Sequence, residues 1–306
     1  MPPPAADITV VWVSYFSTAY LEKLHANLHA KASGTTAIRF LLIDNSHGKD
    51  AAIQAFSEAR SDVDLHIPPA HGLVGSWGHA AGLDVAMPLL NTTYTLICDP
   101  DIHVFKAGWD RFLIDLLHHE KAASVGIPYP FWRVGVYHHF PCPIFHFFHT
   151  ETILALGQTW TPFATNRLRH AYNFVGRQVV RLGGLATRKT LTRSAGMRAV
   201  TGWLEKRFGM VGPDTGYRWC NAADREGLSR IMFEVVAAHH PDYAERIGLP
   251  GFQELADQWE LFYYGDEPIL THKYGTQSRM WRTPAATRVD YWYEQIALFE
   301  QALSHE

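Results

Sequence analysis

Residues 94–104 read YTLICDPDIHV and decide the fold expected for this 306-residue chain. Apolar and β-prone residues come first, and two aspartates one residue apart, Asp99 and Asp101, follow at once. A short apolar run that ends in an Asp-Pro step is typical of a buried strand followed by a turn. In open α/β sheets, ligands bind at the carboxyl ends of the strands. The stretch therefore predicts a ligand site that contains both carboxylates.

Two explanations fit this pair of carboxylates. Carboxylates that lie close together repel each other, so both stay ionised most readily where a cation lies between them. Mg²⁺ and Mn²⁺ bind one or two protein carboxylates and complete their shells with water and substrate phosphates. Asp and Pro are also ordinary turn residues, so a turn that merely ends a strand gives the same pattern. The pattern alone leaves both interpretations open.

The residues before this stretch alternate strands with helices. Apolar runs predict strands at 8–15, 38–43 and 63–67, and helical spacing predicts helices at 20–31 and 51–60. This order is typical of a mostly parallel sheet with right-handed crossovers and flanking helices. The expected fold class is therefore α/β.

A glycine-rich segment, residues 71–82, opens the helix that is expected to run to about Leu90. Glycines there let the backbone approach a ligand, and a helix N-terminus favours an anion such as a diphosphate. Close packing of a helix on a strand requires glycine too, so the segment alone does not decide between these two uses.

Residues 161–210 differ sharply in charge from the rest of the chain. Their net charge is +9 and that of the remainder is −12, within an overall net charge of −3. Interleaved apolar residues make the segment a basic amphipathic helical region. Such a region is typical of contact with an anionic membrane surface or a lipid-linked phosphate. A charged helical insertion in solvent gives the same pattern.

The last third of the chain supplies further polar side chains at the ends of predicted elements. Asp214 lies in a turn before a helix, where it is well placed as the N-cap. A strand is predicted at 229–238, residues 269–276 are predicted to form a short strand that ends in a histidine and a glycine turn, and a closing helix is predicted at 290–304. Histidines occur at the ends of both strands: His239, His240 and His272.

Residues 129–149 are dense in aromatic residues, proline and histidine. Four of the histidines lie around Cys142, but their irregular spacing does not match a closed zinc site: His138, His139, His146 and His149. The segment is expected to line an acceptor cleft or to form part of the core.

Composition narrows the classes of protein. The chain is 47% hydrophobic and 19% charged, which is enough to bury a large core. The near-neutral net charge indicates no nucleic-acid partner. Three cysteines without metal or CxxC spacing fit a reducing compartment. No signal-peptide pattern or apolar run near ~20 residues occurs, so a cytoplasmic location is expected, with peripheral contact at the inner face of the membrane through the basic segment.

Together these segments resemble the GT-A glycosyltransferases, in particular the family 2 enzymes that use nucleotide-diphospho-sugars. The resemblance implies a Rossmann-like, mostly parallel sheet flanked by helices, with a basic helical insertion at about 161–210. It also implies a donor-binding half at 1–128, followed by an acceptor-binding and catalytic half at 129–306.

The first half of the resemblance concerns the nucleotide-sugar. VVWVSYFS is similar to the family's first strand, so Ser14 and Tyr15 would lie near the base. LLIDNSHGKD resembles the second strand, where Asp44 would bind the base. GLVGSWGHAAG is similar to the turn that meets the sugar diphosphate, which points to Gly75, although Gly-His at 78–79 stands where the family has Asn-x-Gly.

The second half concerns catalysis. YTLICDPDIHV resembles the family's D-x-D strand, so Asp101 would bind Mn²⁺ or Mg²⁺, and Asp99 would contact ribose or a metal-bound water. GPDTGYRW is similar to the Glu-Asp motif that supplies the general base. Pro213 stands at the Glu position, so Asp214 alone carries over. His272 resembles the late histidine of the metal site. The other candidates for that role are His239 and His240.

The function that this resemblance implies is metal-dependent, inverting transfer of a sugar from a nucleotide-diphospho-sugar to an acceptor hydroxyl. The acceptor would belong to a cell-envelope or lipid-linked glycan. Two alternatives remain. Haloacid-dehalogenase-like phosphoryl-transfer hydrolases also present Asp-x-Asp after an apolar strand, although usually after their first strand. A carbohydrate-binding protein could keep the fold without catalysis.

Overall fold

The computed structural model describes residues 7–73, 75–162, 167–209, 214–237, 243, 248–273 and 285–305. The strands in these residues are β1 (Ile8–Ser14), β2 (Ile38–Asp44), β3 (Val63–His66), β4 (Tyr94–Cys98), β5 (Ile102–Val104), β6 (Ser124–Gly126), β7 (Phe145–His149), β8 (Arg230–Met232), β9 (Glu234–Val236), β10 (Glu260–Tyr264) and β11 (Glu267–His272).

The α-helices in the same residues are α1 (Thr18–Lys31), α2 (Ala51–Glu58), α3 (Ser76–Ala86), α4 (Trp109–His119), α5 (Thr150–Leu154), α6 (Arg167–Val180), α7 (Arg188–Arg193), α8 (Ala195–Phe208), α9 (Tyr217–Arg225), α10 (Phe252–Gln258) and α11 (Val289–Leu303). Short 3₁₀ turns lie at Met87–Leu89, Leu182–Gly184 and Ala285–Thr287.

The main sheet has seven strands in the order β3-β2-β1-β4-β7-β6-β8. Parallel pairs join β3 to β2, β2 to β1, β1 to β4 and β6 to β8, so the predicted mostly parallel α/β sheet is confirmed. Strand β7 is antiparallel to both of its neighbours. The sequence did not indicate this strand, because its FHFFH run lies inside the aromatic-rich segment expected to be cleft or core.

Strand β1 lies inside the parallel half, between β2 and β4, and its side chains are buried along its whole length. Strands β2 and β3 are added on one side of β1, whereas β4 is added on its other side. The strand order therefore reverses at the boundary between β1 and β4. In open α/β sheets such a switch point leaves a crevice outside the carboxyl ends of the strands, and ligands bind there. The Asp-Pro-Asp turn follows β4 at this crevice.

Helix α3 packs tightly on β1 through glycine. A Cβ atom added to Gly82 would lie 2.6 Å from Cγ1 of Val13, and one added to Gly78 would lie 3.0 Å from the carbonyl oxygen of Leu73. Packing therefore accounts for these two glycines. Gly75 is different, because it precedes the helix with a φ of 60° in open space.

A second, antiparallel sheet has the strand order β5-β11-β10-β9. Strand β5 follows the Asp-Pro-Asp turn directly, so that turn joins the two sheets. The single strand expected at 229–238 is wrong. Buried Phe233 separates two short strands, of which β8 pairs in the main sheet and β9 in the second.

The basic segment forms α6, α7 and α8 within its described residues, which confirms its helical character. One of its arginines is structural. Arg188 is buried and its Nη2 donates to the carbonyl oxygens of Ala256 and Trp259, which attaches the insertion to α10. None of the helices that the structure describes combines the length and the apolarity needed to cross a bilayer.

His146 is a buried histidine in the core of the main sheet. Its ring packs against Phe140, Phe148 and Trp160, with centroid distances of 5.1, 4.9 and 6.1 Å. Within the described residues neither ring nitrogen has a hydrogen-bond partner. Burial therefore lowers the pKa of His146 to about 3.

This buried ring predicts acid sensitivity. The unfolded chain takes up a proton at His146 below about pH 6.5, but the folded chain does so only near pH 3. The free energy of unfolding should therefore decrease as the pH is lowered through this window. His146 should account for about 2 kcal/mol of the decrease between pH ~7.5 and pH ~5. Urea unfolding at both pH values should show a smaller loss for His146→Phe than for the wild type. The exposed control His119→Phe should keep the wild-type loss. Equal losses in all three proteins would contradict this assignment.

Candidate active site

The Asp-Pro-Asp turn is held at both ends by backbone hydrogen bonds. The amide of Asp99 donates to the carbonyl of Ile144 beside β7, at 2.9 Å. The carbonyl of Asp101 accepts from the amide of Lys273, also at 2.9 Å. The two carboxylates are therefore fixed where the main sheet meets the second sheet.

His272, the last residue of β11, lies beside both carboxylates. Its Nε2 is 3.3 Å from Oδ1 of Asp101 and 3.9 Å from Oδ2 of Asp99. Its Nδ1 is 2.8 Å from Oε2 of Glu260, directly across the β10–β11 ladder. His272 and Glu260 are almost fully buried, whereas the side chains of Asp99 and Asp101 are 24% and 19% exposed.

The carboxylates affect each other's titration. Burial raises the pKa of Asp99, and the neighbouring charge of Asp101 adds to this. Burial would also raise the pKa of Asp101, but the charge and hydrogen bond of His272 outweigh it and lower the pKa. Burial opposes protonation of His272, yet Asp101 and Glu260 raise its pKa to about 10. The cluster therefore attracts one positive charge, either a proton or a cation.

The donor set fits a hard or borderline divalent cation. One donor atom from each of Asp99, Asp101 and His272 lies within 4.8 Å of the others. Carboxylate oxygens suit Mg²⁺ and Mn²⁺, and an imidazole nitrogen is a common additional ligand of transition metals. Glu260 holds Nδ1 of His272, which leaves Nε2 directed at the carboxylates, as in the carboxylate–histidine pairs of known metal sites.

The ends of β1 and β2 lie side by side at the same edge. Ser14 pairs with Asp44 in the ladder. Ser14 is buried and its hydroxyl is 2.6 Å from that of Ser17, whereas Tyr15 is largely exposed. Asp44 is buried, and its two carboxylate oxygens accept from the amides at positions 46 and 48, both at 2.8 Å. The side chain of Asp44 therefore fixes its own turn.

Asp214 is linked to the same edge through α3. Oδ1 of Asp214 accepts from the amide of Thr215, and the Thr215 hydroxyl donates to the carbonyl of Ser76 at 3.1 Å. Three residues along that helix, Nε2 of His79 is 3.3 Å from Oδ1 of Asp99. The first turn of α3 therefore contacts both the Asp214 segment and the Asp-Pro-Asp turn.

The expected N-cap role of Asp214 is wrong. The N-cap of α9 is Gly216 with a φ of 90°, and the carbonyl of Asp214 accepts from the amide of Tyr217. A Cβ atom on Gly216 would lie 2.5 Å from the hydroxyl oxygen of Tyr137, which in turn donates to the carbonyl of Thr215. The Asp214 carboxylate is thus not used to cap the helix.

Comparison with known proteins finds likeness only at the level of structure. No protein-family model and no curated protein sequence matches the chain. The mannosyltransferase PcManGT from Pyrobaculum calidifontis, solved with GDP-Man and Mn²⁺, is similar at 11% identity and a TM-score of 0.42, over 74% of this chain and 76% of its own. TarS 1–349 from S. aureus is similar at 10% identity and a TM-score of 0.42, over 75% of this chain and 94% of its own. The TarS complexes with UDP-GlcNAc and with UDP each have a TM-score of 0.41.

The structure adds three residues to the site. Glu260 lies within an apolar run, and nothing in the sequence indicates its partner on β11. His79 stands in a glycine-rich helix start, where the sequence pattern favours phosphate contact over contact with a carboxylate. Arg133 comes from the aromatic segment and lies 4.8 Å from the ring centroid of Tyr129. Burial raises the pKa of Glu260, the hydrogen bond and charge of His272 lower it, and the charge of Arg133 lowers it further.

His239 and His240, the other candidates for the late metal ligand, lie outside the described residues. Of the three histidines, His272 is the one for which the structure gives contacts, and both of its ring nitrogens face carboxylates.

Proposed function

We propose that the chain is a metal-dependent glycosyltransferase that uses a nucleotide-diphospho-sugar. The observation that carries the proposal is the convergence of Asp99, Asp101 and His272 at the switch point of the parallel sheet. A ligand set of this kind, beside the crevice where α/β sheets bind nucleotides, suits a metal-bound diphosphate.

Asp101 and His272 would hold Mn²⁺ or Mg²⁺, and Asp99 would contact the ribose or a water on the metal. A bound divalent cation would neutralise the charge that develops on the departing diphosphate. Glu260 would keep His272 oriented with Nε2 directed at the two aspartates. Arg133 would add positive charge near the cluster, because its charge favours the ionised forms of Asp99 and Glu260.

Ser14, Tyr15, Asp44 and Gly75 would form the nucleotide end of the donor site. Exposed Tyr15 is suited to stacking on a base. Asp44 would contribute to base binding by fixing the turn at 44–48 with its carboxylate. The open, positive-φ backbone at Gly75 would let the start of α3 approach the diphosphate.

Asp214 would be the general base. As the acceptor oxygen bonds to the anomeric carbon, its proton would pass to the Asp214 carboxylate, and the nucleoside diphosphate would leave with the bonding electrons of the glycosidic bond. A single displacement of this kind inverts the anomeric centre. The link from Asp214 through Thr215 to α3 supports this role, because the same helix contacts Asp99.

Calorimetric titration with UDP, GDP and dTDP, each with Mn²⁺ and with EDTA, tests the donor site. Binding of one nucleotide that requires Mn²⁺ supports the transferase, and absence of metal-dependent binding rejects it. A screen of the matching sugar nucleotides, followed by NMR of the anomeric centre, then tests inversion. Binding without turnover would favour the non-catalytic carbohydrate-binding alternative. Release of phosphate from phosphomonoesters would favour the hydrolase.

Glu260 offers a separate test of metal binding. Glu260→Gln removes the anion that orients His272, so we expect Mn²⁺ affinity to fall about 10- to 100-fold, the usual effect of losing a carboxylate behind a metal-binding histidine. Titration of nucleotide binding against Mn²⁺ concentration measures this shift. Glu267→Gln changes an exposed carboxylate on β11 and should leave the affinity unchanged. If Glu260→Gln requires the same Mn²⁺ concentration as the wild type, Glu260 does not support metal binding.

The acceptor is proposed to be a cell-envelope or lipid-linked glycan, presented at an anionic membrane. The basic insertion supports this because it exposes apolar side chains beside its positive charges. Trp203 is 63% exposed on α8, with Val200 one turn away, and Leu185 is exposed between α6 and α7. Basic helices with exposed aromatic residues bind anionic bilayers.

Vesicle flotation tests this contact. The chain should float with vesicles rich in anionic phosphatidylglycerol and remain behind with phosphatidylcholine, and Trp203→Ser should weaken binding several-fold. Leu298→Ser, at an exposed apolar position on α11, is the matched control and should bind like the wild type. If the wild type does not bind anionic vesicles, the membrane contact is rejected.

A further inference from the structure

Three metal-binding side chains converge at a second place, where α1 passes the turn between α2 and β3. His25 and His29 lie four residues apart on α1 and so share one face of the helix. Asp62 lies in the turn. The backbone carbonyl of Asp62 accepts from the amide of Phe40 at 2.8 Å, which fixes the turn against β2. This cluster shares no residue with the proposed transferase site.

The three donor atoms are spaced like ligands of one ion. Nε2 of His25 and Nε2 of His29 lie 3.0 and 2.8 Å from the same oxygen, Oδ2 of Asp62, and 3.2 Å from each other. Ligands at the usual zinc distance of ~2.0–2.1 Å, placed tetrahedrally, are about 3.3 Å apart. All three distances are within about half an ångström of this spacing.

Aromatic side chains pack against both histidine rings, and one side of the cluster is open to solvent. The ring of His25 packs against Phe40 at 4.8 Å and Phe56 at 5.8 Å, and that of His29 lies 5.3 Å from Phe40. The side chain of His29 is 46% exposed, so water can reach the fourth position of a tetrahedral ion. Packed aromatic neighbours lower the entropy that the rings lose on binding.

Another mixed cluster is less suited to a cation. His139 lies 2.9 Å from Asp224, with the Cys220 thiol nearby. Arg230, however, is 2.5 Å from the other oxygen of Asp224 and already supplies the positive charge there. The Asp62 cluster has no arginine or lysine among the ion pairs that the structure gives for its carboxylate.

We propose that His25, His29 and Asp62 bind one Zn²⁺ ion, with water as the fourth ligand. Two imidazoles and a carboxylate are the typical donors of such a site, and a pair of histidines at i and i+4 on a helix presents two of them together. The ion would join α1 to the turn before β3, the edge strand of the main sheet. Binding of the ion to the folded chain would stabilise that edge.

Zinc binding by the full, untagged chain tests the proposal. After treatment with EDTA, equilibrium dialysis at micromolar Zn²⁺ should leave one more ion per chain on the wild type than on His29→Ala or Asp62→Asn. The control His119→Ala changes an exposed histidine on α4 and should bind as the wild type does. Taking the difference between proteins separates this ion from any bound at Asp99, Asp101 and His272.

Thermal unfolding gives a second readout. Zn²⁺ should raise the Tm of the wild type and of His119→Ala by several degrees, because an ion that binds only the folded state stabilises it, and this rise should be smaller in His29→Ala. If His29→Ala binds as many zinc ions as the wild type, or if none of the proteins binds zinc at micromolar concentration, the site is rejected.

Discussion

Asp101→Asn should lower the rate of sugar transfer by at least about 10³-fold while the protein stays folded. A divalent cation contributes several kcal/mol to stabilising the departing charge, and each ~1.4 kcal/mol corresponds to a tenfold change in rate. Asn has nearly the volume of Asp, and the carbonyl at position 101 still accepts from the amide of Lys273. Transfer assays at saturating donor and Mn²⁺, with circular dichroism as the check on folding, measure the effect.

Asp115→Asn is the matched control for this variant. It neutralises an exposed aspartate on α4 that pairs with Arg111 at 3.1 Å, well apart from the candidate ligands in the sequence. Its transfer rate should equal that of the wild type. If Asp101→Asn keeps more than about a tenth of wild-type activity, the part of Asp101 in the proposed mechanism is disproved.

Asp214→Asn should lower kcat by about 10²- to 10⁴-fold, the range associated with general bases, while nucleotide binding and its Mn²⁺ requirement stay unchanged. The local structure should survive, because Oδ1 of Asn can accept from the amide of Thr215 as Oδ1 of Asp does. An amide cannot take up the acceptor's proton, however. Steady-state kinetics together with calorimetry separate the two effects.

The two aspartate variants should therefore fail differently. Asp101→Asn should lose metal-dependent nucleotide binding and transfer together, whereas Asp214→Asn should lose transfer alone. Equal losses of nucleotide binding in both variants would show that Asp214 belongs to the donor site or supports its fold. Full activity of Asp214→Asn would show that another group takes up the acceptor's proton.

Strands and site residues differ in how well the sequence predicts them. The sequence predicts strands β1, β2 and β4 because each is a mostly apolar run ended by a polar turn, so local pattern and burial agree. It does not predict strand β7, because FHFFH differs little in character from the aromatic residues around it. Phe233, which carries the chain from one sheet to the other, looks in sequence like the middle of a single strand.

The sequence predicts the proximity of candidate site residues when they are close together in the chain. Asp99 and Asp101 stand one residue apart after a strand, so their proximity can be read from the chain. The contacts of His272 with Asp101 and Glu260 depend on ladder register in the second sheet, which no local pattern specifies. For Asp44, the sequence predicts the position at the end of β2, but it does not indicate that the amides of Ser46 and Gly48 donate to both carboxylate oxygens.

The pairing of β5 with β11 also has a consequence for biosynthesis. Asp101 leaves the ribosome long before His272, yet the two become neighbours only when β11 docks antiparallel to β5. A nascent chain released before β11 would carry the first sheet and the carboxylates without their histidine. The proposed metal site would then be completed only late in the maturation of the chain.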